Sequence, residues 1–166
     1  MLAVTLVEPQ IAANAGAIIR LCAATGAELH LVEPLGFFLD DKKLKRAGLG
    51  YLEMAKVYRH LGWKEFTKKM APRRLLVFSS QGKIRYDERR YEKGDVLVFG
   101  AETHGLAPGI LEAFSEDNRL FIPMRPGVRC LNLAMAAAVA LYEASRQAGF
   151  EGWTQRAFFE EKGREE

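Results

Sequence analysis

The chain has 166 residues, 49% hydrophobic and 27% charged, with a formal net charge of +3. That size and composition fit one globular domain burying roughly 70% of its unfolded surface, and the mild basic balance falls short of a nucleic-acid-binding signature by charge alone. Two cysteines, Cys22 and Cys130, exclude a disulfide framework and favour a reducing, cytoplasmic setting.

The apolar N-terminus, Leu2–Val7, has no basic flank and runs into Glu8-Pro9, so it reads as a first strand and not a leader. Further strand-length apolar runs are Glu28–Val32, Leu75–Phe78, Val96–Phe99 and Leu120–Ile122. They are continuous and not alternating, as strands covered on both faces are. Helical patterns fall between them at Asn14–Thr25, Lys64–Met70, Pro108–Phe114 and Asn132–Ala148. Asn14 suits an N-cap, Pro108 a first helical position, and Gly149 a helix stop. The alternation predicts an α/β fold with a mostly parallel sheet flanked by helices. Residues 1–150 form that domain, and 151–166 a charged extension. The longest apolar run, within Leu131–Tyr142, is too short to span a bilayer, so no membrane association is expected.

Three loops stand out for chemistry. Asn14-x-Gly16-x-x-x-Arg20 follows the first strand, with Gly16 and Arg20 on one helix face; a plain cap with a surface arginine is the bland alternative. Gly100-Ala101-Glu102-Thr103-His104-Gly105 places a carboxylate and a histidine between two glycines, where backbone groups can meet a ligand. An ordinary turn with Glu102 near a helix start competes with that. Ile122-Pro123-Met124-Arg125-Pro126-Gly127-Val128-Arg129-Cys130-Leu131-Asn132 leads from a strand into an alanine-rich helix, the setting in which free N–H groups face a ligand. Basic groups at Lys42-Lys43-x-Lys45-Arg46, Arg73-Arg74, Lys83, Arg85 and Arg89-Arg90 have aromatic neighbours and suit phosphate contact and base stacking, or simply solvated surface. There is no P-loop, no Gly-x-Gly-x-x-Gly after the first strand and no Gly-x-Ser-x-Gly elbow. His30, His60 and His104 have no metal-ligand spacing with either cysteine, so no metal is expected.

In this order, Asn14-x-Gly16-x-x-x-Arg20, Leu97-Val98-Phe99-Gly100-x-Glu102-x-x-Gly105-Leu106 and Ile122-Pro123-Met124 to Asn132-Leu133 resemble the SpoU branch of the SPOUT methyltransferases. The short chain, with Glu33-Pro34-x-Gly36-Phe37 and Asp41-Lys42-x-Leu44-x-Arg46-Ala47-Gly48-Leu49, is similar to the subgroup that methylates the 2′-oxygen of cytidine or uridine 34 in tRNA. The resemblance implies a C-terminal trefoil knot, S-adenosylmethionine as cofactor with S-adenosylhomocysteine as product, and a homodimer. It implies cofactor contacts near Phe78, Gly100, Ile122, Met124, Cys130 and Leu131, and RNA contacts at Asn14, Lys42, Arg46, His104 and Arg129. Arg20, Glu102 and Asn132 take the catalytic motif positions. There Arg20 would clamp a phosphate and stabilise the developing alkoxide, Glu102 would orient Arg20 or balance the sulfonium, and Asn132 would fix the loop or the ribose. The chain departs from the family at Cys130 and Ala134, where serine is common. Methylation of another tRNA position or of ribosomal RNA, and non-catalytic RNA binding, are the alternative functions.

Overall fold

A computed structural model describes residues 1–38 and 51–154. The strands are β1 (Ala3–Val7), β2 (Glu28–Val32), β3 (Lys56–His60), β4 (Leu75–Phe78), β5 (Ile84–Arg85), β6 (Val96–Phe99) and β7 (Arg119–Phe121). The helices are α1 (Ala12–Thr25), α2 (Trp63–Met70), α3 (Pro108–Glu112) and α4 (Leu133–Gln147). All seven strands join one parallel sheet in the order β3-β2-β1-β6-β4-β7-β5. The expected α/β architecture is therefore present.

The continuous apolar runs have the predicted cause. Alternate residues of one strand enter different layers: Val4 and Leu6 of β1 face a core shared with Ile18, Ile19, Ala137 and Leu141 of α1 and α4. Ala3 and Val7 face the opposite core with Phe66 and Met70 of α2 and Leu111 of α3. A strand buried on both sides has no polar face to show. Truncating such a residue, for example Leu97→Ala, costs about 2–5 kcal/mol.

Two strands were not expected. Lys56-Val57-Tyr58-Arg59-His60 carries no apolar run because β3 is an outer strand, paired with β2 alone and largely solvent-facing. β5 is two residues long and pairs with β7. β7 itself lies between β4 and β5, so the 79–83 connection passes around it. There the backbones meet so closely that a Cβ on Gly82 would lie 2.3 Å from the Leu120 carbonyl. The third predicted helix is shorter than expected, ending at Glu112. Pro108 does occupy its first turn, and Gly149 follows the C-cap of α4 with φ 71°. Trp153, at the start of the charged extension, packs on Tyr142 and Phe150.

Asn14 is not the cap of α1. The helix begins two residues earlier, with Ile11 at the N-cap and no capping side chain of its own. Asn14 therefore lies inside the first turn, and what satisfies this helix end comes from elsewhere in the chain.

Candidate active site

The missing cap is Glu102. β6 ends at Phe99, and the chain turns back on itself through paired Ala101 and Gly105 backbones, at 3.1 and 2.9 Å. A Cβ on Gly100 would lie 2.2 Å from the Gly105 carbonyl carbon, so only glycine permits this turn. The turn aims Glu102 at the start of α1. The Gln10 and Ile11 N–H groups donate to its carboxylate at 2.8 and 3.2 Å, and Asn14 Nδ2 donates to it at 2.9 Å. A carboxylate at a helix N-terminus satisfies orphan donors and complements the helix dipole. This helix has no acidic residue in its first turn to do so itself.

The chain of bonds continues into the third motif. Asn132 Nδ2 donates to Asn14 Oδ1 at 2.9 Å, and Asn132 Oδ1 accepts the Ala134 and Met135 N–H groups at 2.9 and 3.4 Å. Asn132 is thus the N-cap of α4. Both amides have a single orientation here, because a carboxylate only accepts and a backbone N–H only donates. Glu102, Asn14 and Asn132, far apart in sequence, lock the loop after β6, the start of α1 and the start of α4 into one unit.

Around this unit lie the C-terminal ends of the central strands, the place where open parallel sheets bind ligands. Phe78 and Phe99 stand side by side at the ends of β4 and β6, their rings stacked at 4.8 Å. The 123–131 loop is open: its residues are exposed, and among the described residues no N–H from Met124 to Leu131 donates to another backbone group. Met124, Val128 and Leu131 are large apolar side chains left in solvent there. Ile122 is partly buried against the core. Cys130 is an exposed free thiol, and Arg125 and Arg129 form no ion pair among the described residues.

The remaining expected residues are more dispersed. Arg20 is exposed on α1, its guanidinium 5.2 Å above the Tyr51 ring, and Glu102 is not among its partners. The expectation that Glu102 orients Arg20 is corrected: within one chain the carboxylate serves α1. His104 is half exposed, 3.1 Å from Thr103 Oγ1 and 3.8 Å from the Glu8 carboxylate. Lys42 and Arg46, with the motif around them, lie outside the described residues. Arg73 and Arg74, open from the sequence between phosphate contact and solvated surface, are tied internally. Arg73 holds Glu28 and the Gly94 and Met1 carbonyls, while Arg74 grips buried Asp95 at 2.7 and 2.8 Å. Sequence reading missed Gln10, which takes the Thr103 hydroxyl at 2.6 Å, and Tyr51 under Arg20. No pattern in the sequence links either to its partner.

A parallel sheet with its helix-opening loops gathered at one end defines an α/β protein with a ligand site at the strand termini. The chain belongs to the SpoU rRNA methylase family, whose model matches residues 1–142. It is 53% identical over 154 residues to a tRNA (cytidine(34)-2′-O)-methyltransferase of Burkholderia pseudomallei, covering 92% of this chain and 99% of that one. The enzyme of that name from Escherichia coli K12 is 45% identical over 152 residues, covering 92% and 97%. A solved structure from work on the 2-OH methylation of C/U34 on tRNA superposes with a TM-score of 0.86 at 43% identity, covering 90% and 97%.

Proposed function

We propose that this chain transfers a methyl group from S-adenosylmethionine to the ribose 2′-hydroxyl of nucleotide 34, cytidine or uridine, in tRNA. The observation that carries this reading is the bonded unit Glu102–Asn14–Asn132, which brings the three sequence motifs together beside the open loop. Near-full-length identity to relatives of that activity supports the choice of RNA and nucleotide.

The residues present fit the cofactor. Phe78, Gly100, Ile122, Met124, Cys130 and Leu131 supply an apolar floor, and the open backbone from Met124 to Leu131 offers donors and acceptors for an adenosine. When bound, S-adenosylmethionine supplies a methyl carbon made electrophilic by the sulfonium. Glu102 and Asn132 position the two helix ends and the loops between which substrate must sit. Arg20 acts through its guanidinium as an electrostatic clamp. It holds the phosphate next to the 2′-oxygen and stabilises the charge that develops as the proton leaves to phosphate or water. Arg125, Arg129 and His104 border the same end and meet the RNA. With both amide ends engaged, Asn14 acts by holding the frame.

Two further elements belong to this reading. Met135, Val139 and Tyr142 form an exposed stripe on α4 at helical spacing, 60%, 36% and 47% accessible. A second copy of the chain covers it, giving a homodimer. The insertion of β7 between β4 and β5 supports a chain threaded through the 79–83 loop as a trefoil knot. A tRNA substrate and two unpaired thiols suit the cytoplasm.

The test is methylation of unmodified tRNA, followed by nuclease digestion and mass spectrometry. A single 2′-O-methyl group at nucleotide 34 is expected; one placed only elsewhere replaces the reading. Arg20→Ala should lower turnover roughly 100- to 1,000-fold. Near-normal turnover with unchanged tRNA affinity would remove Arg20 from the mechanism.

A further inference from the structure

One cavity of the described structure lies away from the strand termini of the candidate site. It holds about 310 Å³ at the β2–β3 edge, where α2 and the chain after it cross. Its wall includes Glu28, His30, His60, Lys69 and Arg73. His30 and His60 are each 3% exposed and joined by a 2.9 Å contact between His30 Nδ1 and His60 Nε2. Among the described residues the other nitrogen of each ring, His30 Nε2 and His60 Nδ1, is buried without a hydrogen-bond partner. Two such orphans in one wall are costly unless something binds there.

Their roles follow from the neighbours. His30 Nε2 lies 3.8 Å from the Glu28 carboxylate, which favours a proton on that nitrogen. His30 Nδ1 then accepts from His60 Nε2–H, and His60 Nδ1 is left as a bare acceptor. The cavity therefore offers one donor and one acceptor from buried imidazoles. Three cations, Arg59, Lys69 and Arg73, share its wall with the carboxylate of Glu28, and Arg59 is paired with Glu33 outside it. Arg73 is fixed by its own bonds and contributes charge. Among the described residues the Lys69 ammonium is bonded only to Glu65, which does not line the cavity. No described group of three His, Cys, Asp or Glu residues is arranged to hold a metal ion. An oxyanion matches this wall better than a cation.

We propose that this cavity binds a phosphate monoester or inorganic phosphate. Ionised oxygens accept from His30 Nε2–H and Lys69, while the remaining P–OH of the hydrogen-phosphate form donates to His60 Nδ1. A phosphodiester has no such hydroxyl and leaves His60 Nδ1 unpaired, so the site discriminates chain ends and free nucleotides from RNA backbone. The inference is independent of the methyl-transfer reading.

Long-range proton–nitrogen spectra of the imidazoles test it, because the chain has only three histidines and exposed His104 serves as an internal reference. Inorganic phosphate should shift the His30 and His60 nitrogens saturably, with a Kd below roughly 5 mM. Dimethyl phosphate should not. Lys69→Ala, a change at a half-exposed side chain, should weaken binding about fivefold. Adenosine monophosphate acting alone would identify a free nucleotide as the source. A response to 5′-phosphorylated tRNA that dephosphorylated tRNA does not give would identify an RNA end. No saturable shift with phosphate, equal binding of dimethyl phosphate, or indifference to Lys69→Ala would each overturn the proposal.

Discussion

Two polar clusters in this protein are built on opposite terms. Around Glu102, Asn14 and Asn132 the described geometry gives each donor and acceptor a partner, and three distant segments become one frame. At the β2–β3 edge the His30–His60 pair satisfies one nitrogen of each ring and leaves the others bare. A satisfied network specifies a unique arrangement, whereas a half-satisfied one costs stability. The first cluster therefore reads as scaffolding for catalysis. The second reads as a vacancy that a ligand completes, and acid and mutation should affect the two differently.

The largest effect should come from acid. Burial, followed by the neighbouring His60, pushes the His30 pKa down to about 4, and burial lowers that of His60 too. Both rings are neutral in the folded chain, while an unfolded histidine titrates near 6.5. Between those values the unfolded state binds more protons, so stability is complete above about pH 6.5 and declines as pH falls towards 4. Glu28, Tyr58, Lys69 and Arg73 also face the pair. Burial pushes Glu28 up, but the Arg73 hydrogen bond and charge outweigh it, so Glu28 titrates below its ordinary value and its loss falls later. The His30 shift alone corresponds to about 3 kcal/mol. Urea melts from pH 7 to pH 4.5 should show most of this decline, and saturating phosphate at pH 7 should raise the midpoint. A pH-independent midpoint would mean that the pair is hydrated and its nitrogens are not bare.

Next in size is Glu102→Ala, which strips the cap from α1 and leaves the Asn14 amide without its acceptor. It should destabilise by about 2–3 kcal/mol and abolish methyl transfer, with loss of protection from hydrogen exchange concentrated in α1. Glu102→Gln keeps an acceptor oxygen and should recover more than half of the stability. If Glu102→Ala melted like the parent chain while losing activity, the carboxylate would act on substrate and not on the frame.

How much of this was legible in the sequence follows the same division. Strands buried on both faces announced themselves as apolar runs, and β1, β2, β4, β6 and β7 lie within a residue or so of their expected places. β3 did not, because an outer strand gains its stability from one neighbour and keeps polar side chains. The three motifs stood out one by one in the sequence but not as a bonded unit. Asn14 looked like a cap because Asn ahead of an apolar stretch usually is one. Here a carboxylate 88 residues away in sequence took that task and freed the amide to bridge two helices. The pairing of His30 with His60 depends on strand register, two positions apart across β2 and β3, and spacing alone does not reveal it.

The smallest expected effect isolates one bond of the frame. Asn132 does two jobs, capping α4 through Oδ1 and holding Asn14 through Nδ2. Asn132→Ser keeps a capping oxygen but cannot span to Asn14, so it should cost about 1 kcal/mol, the worth of a single hydrogen bond. Asn132→Ala should cost about 2 kcal/mol by losing the cap as well. Combined with Asn14→Ala, Asn132→Ser should add little further loss, because the bond it breaks is already gone. Full additivity would mean that the two asparagines act separately, and that the start of α1 and the start of α4 are held together by the packing of Ala15, Ile18 and Ala137 and not by their amides.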